Sequence, residues 1–231
     1  VQNMEERLNI FLTNTLDEIR DYSLQGTLFG FLDSIADESK SASRIKNEFP
    51  IMAVIGNPPY SGFSQNKHYN GNNSYKVEPG GKQKLQERKH WLDDDYVKFI
   101  RFAESMIEKN GEGVVGMITA HGYIDNPTFR GMRWHLRTTF DELYVLDLHG
   151  NSNKKETTPS GQKDENVFNI KTGVSIILGI KKKIKDKNYL AKIYSYDVYG
   201  LRSTKKEFLD KNDIYTIDWD CLPEDCDIWK I

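Results

Sequence analysis

A chain of 231 residues is long enough for one sizeable domain, or for one domain with an appendage. With 38% hydrophobic and 29% charged residues it reads as globular, and a net charge of −2 excludes a uniformly basic nucleic-acid binder. The 32 Lys and Arg still leave room for a local basic face. Two cysteines, Cys221 and Cys226, are too few for a disulfide scaffold or a closed zinc site. The five histidines (His68, His90, His121, His135, His149) show no metal-ligand spacing, so no metal is expected. No apolar stretch approaches the ~20 residues that span a bilayer, and no secretory signal opens the chain; no membrane is expected, and the cytoplasm is the default location. The chain starts at Val1 and mid-pattern, as though excised from something longer.

In chain order, residues 8–13 are compatible with a short buried strand, followed by polar Asn14 and Thr15. Apolar residues at helical spacing predict a helix over 25–47. The uninterrupted run Ile51–Ile55 predicts a strand buried on both faces, stopped by Gly56-Asn57-Pro58-Pro59-Tyr60. Residues 61–86, rich in Gly, Asn and Ser, read as a mobile loop. A helix over 94–109 starts in an Asp run and ends at Asn110-Gly111. A strand at 114–119, a helix at 128–138 and a strand at 143–148 follow. Val167–Ile170 and Val174–Ile180 read as a hairpin around Lys171-Thr172-Gly173, and 190–198 as a last apolar segment. Gly111-Glu-Gly-Val-Val-Gly116 fits Gly-x-Gly-x-x-Gly on paper. It follows a helix and precedes a strand, the reverse of a phosphate-binding turn, so it reads as a helix cap.

Strands alternating with helices imply an α/β sheet, and such sheets bind ligands beyond the carboxyl ends of their strands. Asn57-Pro-Pro-Tyr60 sits at one such end. An exocyclic amine on a nucleobase is a poor nucleophile because its lone pair is delocalised into the ring. Acceptors for both its hydrogens let the nitrogen move towards tetrahedral geometry. An Asn side-chain oxygen and a backbone carbonyl are two such acceptors, and proline beside the carbonyl fixes the backbone without adding an N–H. The closing aromatic can stack on a base flipped from the duplex. The same tetrapeptide also serves as a plain strand stop with a turn residue before it.

Ile55-Gly-Asn-Pro-Pro-Tyr60 resembles the catalytic motif of the amino-group DNA methyltransferases, in the Asn/Tyr form typical of N6-adenine enzymes. Gly113–Thr119 followed by Phe129-Arg-Gly-Met-Arg133 resembles their next strand and helix. Leu143–Asn151 and Asn166–Ile170 resemble segments of the large restriction–modification fusion proteins. The resemblance covers residues 5–185. It implies a Rossmann-like methyltransferase sheet, mostly parallel with a terminal antiparallel hairpin and incomplete at its N-terminus. Residues 1–188 would be the catalytic-motif part, and 189–231 the end of that domain or the start of a target-recognition region.

The implied activity is methyl transfer from S-adenosylmethionine (AdoMet) to adenine N6 in DNA, within a restriction–modification or phage-defence enzyme. Asn57 and the Pro58 carbonyl would accept from the amine, and Tyr60 would stack on a flipped adenine in double-stranded DNA. Asn57, Asn14 and Thr15 are candidates beside the cofactor; Lys67, Lys82, Lys84 and Arg130 are candidates at phosphates. No glycine-rich cofactor turn precedes Asn57 or fits after Tyr60. The fragment is therefore expected to be inactive alone, with its AdoMet-binding part upstream in the same polypeptide; fused nuclease or helicase domains are possible partners that the sequence leaves open. Two other readings stay open: an amine methyltransferase acting on protein glutamine or RNA, and a DNA-binding module without catalysis.

Overall fold

The computed structural model describes residues 10–11, 13–16, 30–60, 62, 64–87, 90–183 and 189–223. They fall into two compact units, 1–50 and 51–231. The first contains helix α1 (Gly30–Glu48). There Asn14 Oδ1 accepts the Leu16 amide at 3.1 Å, and Lys46 Nζ donates to the Thr15 carbonyl at 2.9 Å. Half of the strand expected at 8–13 lies outside the described residues, and Ile10, Phe11 and Thr13 are not in a strand.

The second unit carries β1 (Ala53–Gly56), α2 (Asp95–Asn110), β2 (Gly113–Ala120), α3 (Arg130–Thr139), β3 (Glu142–Asp147), β4 (Val174–Lys181), β5 (Lys192–Asp197), α4 (Arg202–Lys211) and β6 (Asp220–Cys221). One sheet holds all six strands in the order β1-β2-β4-β3-β5-β6. β1 runs parallel to β2, and β3 to β5; β4 is antiparallel to both β2 and β3. The carboxyl ends of β1, β2, β3 and β5 therefore share one edge. This is a mixed α/β sheet, mostly parallel in its core.

Two apolar layers explain the alternation along the strands. Met117, Val145 and Ile177 face a core built with Val97, Ile100 and Ile107 of α2 and Met132 and Leu136 of α3. Their neighbours Ile118, Leu146 and Ile176 face the other layer, closed by Phe208 and Leu209 of α4. Helix α2 ends where Gly111 takes φ 87° and its amide reaches the Ile107 and Glu108 carbonyls, so the Gly-rich stretch is a helix cap.

Three expectations change. Val167–Ile170 forms no strand: Asn166 Nδ2 donates to the Gly150 and Thr172 carbonyls, bending this stretch away from the sheet. The antiparallel partners of β4 are β2 and β3 instead, the latter reached across a long connection. β1 is not buried on both faces. It is an edge strand of the described sheet; Val54 meets the core, while Ile55 on the opposite face is 88% exposed. The described residues of 61–86 form no strand or α-helix, as expected of a loop, but they are packed down: Tyr75 is fully buried and Asn72 Nδ2 donates to the Leu92 carbonyl. Among the described residues, no helix is long and apolar enough to cross a membrane.

Candidate functional site

β1, an edge strand among the described residues, delivers Asn57 to the carboxyl edge of the sheet, with Gly56 opposite Met117 of β2. Pro58 is buried and so anchors the turn, whereas Asn57 is exposed and its amide has no hydrogen-bond partner among the described residues. Tyr60 is half-buried and packs against both apolar layers. Burial raises the pKa of its phenol, so the hydroxyl stays neutral at physiological pH.

The chain beyond the motif is tied to the start of α2. Gly62 N donates to Asp94 Oδ2 at 3.1 Å, Ser64 Oγ to Asp95 Oδ1 at 2.7 Å, and Gln65 N to Asp95 Oδ2 at 3.1 Å. Burial opposes charge on Asp95, yet the bonds from Ser64, Gln65 and Asn66 hold its carboxyl below the usual range. Asp94 goes the other way: burial raises its pKa, and its Oδ1 is buried without a partner. Lower down, Tyr75 Oη donates to Glu104 Oε2 at 2.7 Å. Gly131 of α3 lies so close that a Cβ there would sit 2.2 Å from the Val77 carbonyl oxygen and 2.3 Å from that of Tyr75.

Beside Tyr60 opens a cleft of about 650 Å³, of a size that holds small ligands. Trp91, Tyr96 and Phe129 give it apolar walls, and His121 and Asn151 a polar one. His121 follows β2, and Asp147 ends β3. The ring Nδ1 of His121 lies 3.1 Å from Asp147 Oδ1, and its Nε2 lies 3.0 Å from Asn151 Nδ2. Gly173 is required beside it, because a Cβ would come within 2.3 Å of that Nε2.

Behind this wall sits His149, with φ 49°. Its Nδ1 is 3.0 Å from Glu156 and its Nε2 2.6 Å from Asp197, and the ring stacks on Tyr199 at 3.9 Å. Burial disfavours its charge, but the bonds to Asp197 and Glu156 and the field of Asp147 outweigh this and raise its pKa to about 9. Glu156, buried but bonded to His149, falls to about 2. A fully buried ion pair between Lys205 of α4 and Asp164, at 2.8 Å, holds the β3–β4 connection from below. Asp164 accepts the Gly150 amide, and Lys205 Nζ donates to the Leu148 carbonyl.

Sequence reasoning placed Asn57, Pro58 and Tyr60 together, and the structure sets them at one strand end, where Tyr60 lines the cleft. It missed His121, Asp147, His149, Glu156 and Asp197, which are distant in sequence and meet only because β4 lies between β2 and β3. Donor atoms of His121, His149 and Glu156, and of Asp147, His149 and Asp197, lie within 4.8 Å of one another, as metal-binding sets do; a third such set is Glu104, Glu108 and His135. Each set also contains imidazole–carboxylate pairs that hydrogen-bond each other. Lys67, Lys82 and Lys84 are exposed on the loop after the motif. Arg130 has its guanidinium occupied by Glu78 and Glu87, where it ties α3 to that loop. Asn14 and Thr15 belong to the first unit. The described residues contain no strand-to-helix glycine turn.

The chain is similar to three solved DNA complexes. The cryo-EM structure of a DrdV–DNA complex matches at 26% identity and TM-score 0.68, over 85% of this chain and 20% of that one. The ATP-dependent Type ISP restriction-modification enzyme LlaBIII bound to DNA matches at 27% and 0.64, over 85% and 13%. A nuclease-deletion mutant of the Type ISP enzyme LlaGI with a DNA substrate mimic matches at 26% and 0.66, over 84% and 19%. The chain thus spans a fifth or less of the length of these relatives. No curated protein matches it. The family model described as Eco57I restriction-modification methylase matches residues 7–155, well over half of the sequence, and the chain therefore belongs to that family.

Proposed function

We propose that the chain supplies the base-accepting half of an AdoMet-dependent DNA methyltransferase that modifies adenine N6 within a restriction–modification enzyme. The observation that carries this reading is Asn57: an exposed amide with no partner among the described residues, at a strand's carboxyl end, followed by buried Pro58 and a half-buried Tyr60 beside an aromatic cleft. AdoMet would bring an electrophilic methyl group on a sulfonium. The residues of this chain act on the base. The Asn57 oxygen and the Pro58 carbonyl accept the two amine hydrogens, which frees the nitrogen lone pair from the ring. Tyr60 stacks on the flipped adenine, and the cleft walls replace the neighbours the base loses on leaving the duplex. Exposed Lys67, Lys82 and Lys84 neutralise phosphates near the opened site. Arg130 is better suited to holding the loop that carries them.

The test is expression of the full-length protein in methylation-deficient cells, beside Asn57→Ala, with modified nucleosides quantified by mass spectrometry. N6-methyladenine with the wild type and none with the variant is the expected result. N4-methylcytosine would keep the amine chemistry and overturn the base. Absence of both, with soluble and abundant protein, would overturn the reading and favour RNA, protein glutamine or a binding role.

A further inference from the structure

We propose that Asn151 is a specificity residue that donates a hydrogen bond to a ring nitrogen of the target base, held in donor orientation by His121 and Asp147. The inference rests on the methyltransferase reading and deepens it.

An asparagine amide can present either its oxygen or its nitrogen, and neighbours decide which. At one end, the Lys154 backbone N–H donates to Asn151 Oδ1 at 3.2 Å. At the other, Asn151 Nδ2 faces His121 Nε2 at 3.0 Å. Nε2 must then carry a lone pair, which puts the ring proton on Nδ1, where Asp147 accepts it at 3.1 Å. Asp147 is fixed in turn by the His149 backbone N–H, 2.8 Å from Oδ1. Turning the amide over would set NH₂ against the Lys154 N–H and oxygen against the Nε2 lone pair, two repulsive contacts at once. Asn151, His121 and Asp147 are each at most 7% exposed, so water cannot easily replace a lost partner.

The Asn151 amide nitrogen has two hydrogens, and His121 takes one. The other remains for an occupant of the cleft that Asn151, His121 and Tyr60 line together. Asn57 and Pro58 already account for the amine hydrogens of that occupant, so what is left to read is the ring. An N–H donor complements an unprotonated ring nitrogen, as in adenine, and opposes the ring N–H that guanine and thymine carry on the pairing edge. Read at the pairing edge, N1, the donor selects amino bases; read at N7, which guanine shares, it selects purines.

The test uses full-length protein and a duplex bearing the sequence found methylated in wild-type cells. Its target adenine is kept, or replaced by 1-deazaadenine or 7-deazaadenine. Single-turnover methylation by the wild type should fall about tenfold or more with one of the two analogues. Asn151→Ala should be slow on adenine and lose nothing further with that same analogue. Asn151→Asp, close to isosteric but unable to donate when ionised, should behave alike and covers the case in which the alanine variant fails to fold. His121→Phe, which frees the amide to turn over, should weaken the discrimination between adenine and the analogue. A loss in stability alone would leave that discrimination unchanged. Wild type indifferent to both analogues, or position-151 variants as sensitive as the wild type, would overturn the proposal. No methylation of the unmodified duplex by the wild type would instead sink the methyltransferase reading beneath it.

Discussion

Replacing His149 by Asn tests the charge arrangement behind the cleft most directly. The residue has φ 49°, which Asn tolerates better than other side chains, so the backbone is spared. What is lost is the imidazolium held by Glu156 and Asp197. Its pKa is raised from 6.5 to about 9. The lowering of Glu156 to about 2 comes in part from the same interaction felt from the other end, with the Asn151 backbone N–H adding to it, so the pair is counted once. A shift of that size corresponds to about 3 kcal/mol. Because the folded-state pKa is raised, the stabilisation is full below about pH 6.5 and fades as pH climbs through about 9. Urea unfolding of wild type and variant, followed by tryptophan fluorescence, should therefore show a gap about 2–3 kcal/mol wider at pH 6 than at pH 9.5. The lost stacking on Tyr199 contributes equally at both pH values and cancels in that comparison. An equal gap at both would refute a charged His149.

Lys205→Met should cost about 3–5 kcal/mol, because it leaves Asp164 buried without its ion partner; adding Asp164→Leu should recover part of the loss in the same denaturation assay. Gly131→Ala should lower stability by about 1–3 kcal/mol in thermal melts, since the new Cβ meets two backbone carbonyls that cannot step aside. Asp94→Asn should be neutral within about 0.5 kcal/mol at pH 7, or stabilising. Burial raises the Asp94 pKa, so its charged form is disfavoured in the fold and stability gains as pH falls; the amide removes that dependence and keeps an oxygen for Gly62 N.

The motif was legible because local chemistry wrote it. A short apolar run ended by Pro-Pro needs no tertiary information, and neither does a helix bounded by an Asp run and Gly111. β4 shows where local reading stops. Val174–Lys181 was visible as a strand, but nothing in it says that it lies between β2 and β3 instead of folding back on residues 167–170. The histidine network depends on that placement, so its members looked scattered. Ile51–Ile55 was read as buried throughout because apolar content reports the preference of a residue, whereas the exposure of Ile55 reports what lies beside it. The loop after the motif carried polar composition, which conceals that Tyr75 and Asn72 are buried in it.

The strand order also bears on how the chain comes together in time. β2 and β3 follow one another through α3, but they must not pair: a slot has to stay open for β4, which begins about fifty residues after β2 ends. During synthesis the inner edges of both strands wait, with their amides and carbonyls unclaimed, until the β3–β4 connection is complete. Direct β2–β3 pairing is the natural kinetic trap, and filling the slot closes most of the long-range ladder in a single late step.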